Sequence, residues 1–109
     1  MAVYIGSVTP EQRAQFEADQ ETIQAGMEAW GKWMQDHQAA IVDSGGPLGK
    51  TKRADQSGIA DRSNQLTGYV IVQAESHEEA ARMFEGHPHF AIFPGEAVEI
   101  MECLPIPGA

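Results

Sequence analysis

Gly68-Tyr69-Val70-Ile71-Val72-Gln73-Ala74 is the clearest strand in the chain, a run of β-branched and aromatic residues bounded by glycine. Side chains alternate along a strand, so Val70 and Val72 turn to one face and Tyr69 and Ile71 to the other. Both faces are apolar. The stretch from Val98 to Leu104 repeats the pattern: Val98, Ile100 and Leu104 share one side, Met101 and Cys103 the opposite one. A sheet with one wetted face alternates apolar and polar residues instead. These strands therefore predict a sheet that is covered twice, once by helices and once by something else. A second copy of the same face is the simplest cover, as a two-fold dimer requires.

Working outward, Ser76-His77-Glu78-Glu79 is a capping box that opens a helix after the central strand. Ala80, Ala81 and Phe84 give that helix a buried side, and Gly86 stops it. On the N-terminal side, Val3 to Val8 reads as a strand, and Thr9-Pro10-Glu11-Gln12 as a helix start with Thr9 as its cap. Phe16, Ile23, Met27, Trp30, Met34 and Ile41 then hold one helical phase. One helix from Pro10 to Ala40 would be about 45 Å long at ~1.5 Å per residue, too long for a compact domain with a radius of gyration of ~13 Å. A break near residues 18–20 is expected. Gly26 and Gly31 in the second piece suit a close approach by backbone or ligand. Ala40-Ile41-Val42-Asp43 reads as a strand running into a glycine turn, Ser44-Gly45-Gly46-Pro47-Leu48-Gly49. Residues 50–65 read as a basic loop, holding Lys50, Lys52, Arg53 and Arg62, four of the seven basic side chains. The order βαββαβ predicts an α+β, ferredoxin-like domain. Its four-stranded antiparallel sheet carries both long helices on one face.

The 109 residues fit a single domain over 1–109, and 42% hydrophobic content is enough for a core. One cysteine excludes an internal disulfide framework. No apolar run reaches the ~18–20 residues of a membrane span, and Met1-Ala2-Val3-Tyr4-Ile5 lacks the basic start of a signal peptide. A cytoplasmic protein with no membrane partner is expected. A net charge of −9 opposes nucleic-acid binding, which needs a positive field.

The segments Trp30-Gly31-Lys32-Trp33-Met34, Val42-Asp43-Ser44-Gly45-Gly46-Pro47-Leu48, the central strand, and Gly86-His87-Pro88-His89 through Val98-Glu99-Ile100-Met101-Glu102 resemble the YCII-related (YciI-like, DGPF-type) family over roughly residues 27–105. The resemblance implies a ferredoxin-like subunit that dimerises through its sheets into an α+β barrel. That superfamily includes small isomerases, monooxygenases and dehydrochlorinase-like enzymes. The YciI type is associated with a His–Asp dyad, its histidine on the first long helix and its aspartate in an Asp-Pro step. Here Trp30 and Trp33 occupy the helix region, and the Asp-Pro position reads His87-Pro88. The dyad is not carried over.

The residues themselves offer other chemistry. His87 and His89, read as loop residues after a helix, suit acid–base work, because imidazole titrates near neutral pH; their bland role is packing on Phe90 or Phe93 and capping. A metal would need a third ligand from elsewhere, and no metal is expected. Asp43 could orient a histidine, or simply hold its turn together through nearby amides. Ser44, Gly45 and Gly46 lack the Lys-Ser/Thr ending of a phosphate loop, but could steady an oxyanion or merely bend the chain. Trp30 and Trp33 point in neighbouring directions, so one fits the core and the other a pocket or subunit contact. Tyr69 could present its phenol to the same pocket. Glu99 and Glu102 read as edge charges or an inward base, Cys103 as a buried small hydrophobe, and His37 and His77 as helix-surface residues. No Gly-x-Gly-x-x-Gly follows a strand, so no cofactor is called for, although barrels of this kind hold haem or flavin without a sequence signature. Two classes of function remain. One is a cofactor-independent lyase or isomerase with His87 or His89 moving a proton and Asp43 orienting it. The other is a non-catalytic, homodimeric small-molecule binder or accessory module.

Overall fold

The computed structural model describes residues 1–6, 10–17 and 19–105. The elements follow as β1 (Ala2–Ile5), α1 (Pro10–Glu17), α2 (Gln20–Asp36), β2 (Ile41–Pro47), β3 (Thr51–Asp55), β4 (Gly58–Arg62), β5 (Leu66–Val72), α3 (His77–Arg82), α4 (Pro88–Ala91) and β6 (Ala97–Ile100). Four strands form one sheet in the order β2-β5-β1-β6, every neighbouring pair antiparallel, while β3 and β4 form a separate two-stranded sheet. The architecture is α+β. The expected Thr9 cap, Val8 and Pro107 lie outside the described residues.

The long helical phase breaks where length requires it. The Asp19 carboxylate accepts the Thr22 amide at 3.1 Å and starts α2 afresh. Ser76 caps α3 in the same way, accepting from the Glu79 amide at 3.1 Å. Ala2 and Tyr4 of β1, Val70 of β5, Trp33 of α2 and Phe84 after α3 form the core, with Val72, Val98 and Ile100 packed against it. Val70 and Val72 thus share the face that the helices cover, and alternation turns Tyr69 and Ile71 to the other.

Several readings are corrected. Met27 is 65% exposed, and Gly26 and Trp33 are the buried residues of α2. A Cβ on Gly26 would lie 2.7 Å from the Phe93 ring, so the absent side chain is what seats Phe93 against the helix. Ser44–Pro47 is not a turn. It continues β2, with register shifts between Ile41 and Asp43 and between Asp43 and Gly46. Residues 50–65 are not a loop, because β3 and β4 pair as a hairpin from Thr51↔Arg62 to Asp55↔Gly58. The last strand ends at Ile100, and beyond its ladder Cys103 is exposed, its Sγ 3.4 Å from the N-terminal amine. The helix expected to run to Gly86 is the short α3, ending at Arg82, and the chain turns through Gly86 at φ 66° into α4. No described helix is long and apolar enough to cross a membrane.

The radius of gyration is 15.9 Å, against about 13 Å for a compact chain of this length. The extents of 50 × 40 × 18 Å describe a flat molecule.

Candidate functional site

His87 is the centre of the site, and although it lies between α3 and α4 it is part of the core. It caps α4, with Pro88 at the first helical position, and none of its surface is exposed. His89 is 7% exposed. The physical reason is aromatic packing: ring centroids of Trp30, Trp33 and Tyr4 lie 4.6, 4.7 and 5.2 Å from that of His87. Such edge and tilted contacts favour burial of an uncharged imidazole.

The hydrogen bonds fix its tautomer. The His89 amide donates to His87 Nδ1 at 3.0 Å. A nitrogen that accepts carries no proton, so the neutral ring is protonated on Nε2. Nε2 lies 3.4 Å from Tyr4 Oη and donates to it, a long and weak bond. The phenol therefore keeps its own proton for another acceptor. Burial, followed by repulsion from His89 and His37, pushes the His87 pKa down to about 4. Burial pushes the Tyr4 phenol up to about 12. Both groups are neutral at pH 7.

Tyr4 also borders a cleft of about 220 Å³ between the sheet and α2. Trp30 and Met34 close it from the helix, Ser44, Gly46 and Pro47 from β2, and Thr67, Gly68 and Tyr69 from β5. No described side chain on its wall is charged at neutral pH. Trp33 sits in the core instead, its Nε1 donating to the Met83 carbonyl at 2.8 Å. On the other flank of Trp30 a more open groove of about 370 Å³ is edged by His89, Met27 and Phe93. His89 Nε2 is held 2.7 Å from the Ile5 carbonyl, which requires the proton on Nε2 and leaves the Nδ1 lone pair uncommitted among the described residues.

Of the residues singled out in the sequence, Trp30, Ser44, Gly46 and Tyr69 meet at the cleft. His87 stands behind Tyr4, and His89 beside the neighbouring groove. Asp43 is exposed, and its carboxylate accepts the Gly45 amide at 2.8 Å. No hydrogen bond joins it to either histidine among the described residues. Gly45 has φ +63°, and a Cβ there would overlap the Tyr69 carbonyl. Only glycine lets β2 pass so close to β5. Glu99 is exposed on β6, and Glu102 lies 3.4 Å from His77 Nδ1. No group of three or more His, Cys, Asp or Glu is arranged to hold a metal among the described residues. Tyr4 is the residue that sequence reasoning missed. Its signal was the alternation of β1, a strand of four residues whose phase is visible only once Ala2 and Tyr4 are seen facing the helices.

A family model, that of the YCII-related domain, matches residues 5–104, nearly the whole chain. No curated protein and no solved structure matches it.

Proposed function

The chain belongs to the YCII-related domain family, and from that premise we propose a homodimeric module that binds a compact, largely apolar small molecule between the sheet and α2. One observation carries the reading: the cleft wall, built from Tyr4, Trp30, Met34, Pro47 and Tyr69 with small residues between them, bears no charged side chain. A space of about 220 Å³ exceeds the ~150 Å³ apolar cavity that takes benzene, so a single-ring molecule fits. The strand order β2-β5-β1-β6 with antiparallel neighbours supports a ferredoxin-like arrangement. Val3 of β1 pairs with Tyr69 of β5 on the face away from the helices, where Val3 is buried and Ile5, Tyr69 and Ile71 are half-buried; an apolar second face supports a second copy packed on it. An unpaired cysteine suits a reducing cytoplasm.

The test uses Trp30 as reporter in a Trp33→Phe background, titrated with benzyl alcohol. A saturable change in emission is expected, and Gly46→Leu should abolish it, since a Cβ at Gly46 meets nothing within 4 Å and the side chain can fill the cleft. No saturation, or saturation that Gly46→Leu leaves intact, overturns the binding reading.

A second reading, histidine acid–base catalysis of lyase or isomerase type, is favoured by the uncommitted Nδ1 of His89 beside the groove. It expects α-proton exchange of cyclohexanone in D2O above the buffer rate, lost in His89→Gln. Exchange at the buffer rate, followed by NMR, rejects it.

A further inference from the structure

We propose that the hairpin arm β3–β4 clasps the acidic surface of a second copy of this chain. The proposal rests on the dimer reading above. Nine of the ten strand residues in the arm are exposed, and its strands pair only with each other. A lone two-stranded hairpin is marginal in water, and Ile59 of β4 is 76% exposed. Charge identifies the occupant. Residues 50–62 hold four cations and two carboxylates, net +2, which leaves −11 on the rest of a chain whose total is −9. Lys52 pairs with Asp61 at 2.7 Å and Arg53 with Asp55 at 3.1 Å, so both carboxylates are spent within the arm. The surplus sits at the root, on Lys50 and Arg62. These are exposed, make no ion pair among the described residues, and are brought together by the Thr51↔Arg62 register. Leu48 and Leu66, 44% and 41% exposed, line a shallow groove together with Lys50. A cationic, partly apolar projection on an otherwise acidic chain fits another copy of that chain.

The test compares the full chain with Lys50→Glu/Arg62→Glu by sedimentation and by hydrogen exchange of the arm amides, each over a range of concentration. Association should slow exchange in the arm, and the double variant should raise the dissociation constant about tenfold. Arm exchange that does not change with concentration, or an unaltered dissociation constant, overturns the proposal while the sheet-face dimer stands. A wild-type chain that stays monomeric overturns both. Both substituted side chains are exposed, so urea unfolding of the variant should match the wild type at a concentration low enough that both are monomeric.

Discussion

Around His87, the rings of Tyr4, Trp30, Trp33 and Phe84 approach within 4.6 to 5.7 Å, and the imidazole has no contact with water. Along β3 and β4 almost every side chain is wet, and the ion pairs are exposed ones. Exposed pairs are worth about 0–1 kcal/mol, whereas a buried aromatic contributes several. The chain thus concentrates its packing on one side of the four-stranded sheet, while the strands of the hairpin pair only with each other. The first region holds its groups in one protonation state; the second presents charge.

The contrast can be broken first at Trp33. Trp33→Ala removes a ring from the core and the bond to the Met83 carbonyl. It should cost about 3–5 kcal/mol in urea unfolding. Acid is the next lever. The His87 pKa is about 4 when folded and near 6.5 when unfolded. The unfolded chain therefore binds the extra proton first, and stability should fall as pH drops from about 6.5 to about 4, by about 3 kcal/mol. His87→Gln should flatten that slope. Tyr4 works in the opposite sense, its stabilisation fading as pH rises above about 10 toward 12. The smallest effect belongs to the arm: Ile59→Ser should change monomer unfolding by less than about 0.5 kcal/mol. A larger loss in the monomer would mean that the hairpin packs on its own chain after all.

The sheet was legible because its signals are local. The β5 alternation, the Ser76 capping box and the excess length of the first helical phase each act within a few residues. The hairpin was hidden because Thr51–Asp55 and Gly58–Arg62 carry only Ala54, Ile59 and Ala60 as apolar residues, so no alternation marked them as strands. His87 and His89 were misplaced for a different reason. A His-Pro-His stretch after a glycine looks exposed, and only the rings of Tyr4, Trp30 and Trp33, 54 to 83 positions away, make it a core. Asp43 was legible as the acceptor of a nearby backbone amide, since its bond to Gly45 spans two residues. The pairing of Tyr4 with His87 was not, because nothing in either segment specifies the other.

The margins of the main sheet have one more consequence. β2, at one border, carries two register shifts, adjacent glycines and Pro47, and β6, at the other, is four residues long with Glu99 turned to water. Neither border offers a straight row of free amides and carbonyls for an incoming strand. The ribbon is therefore poorly built to lengthen sideways by strand addition.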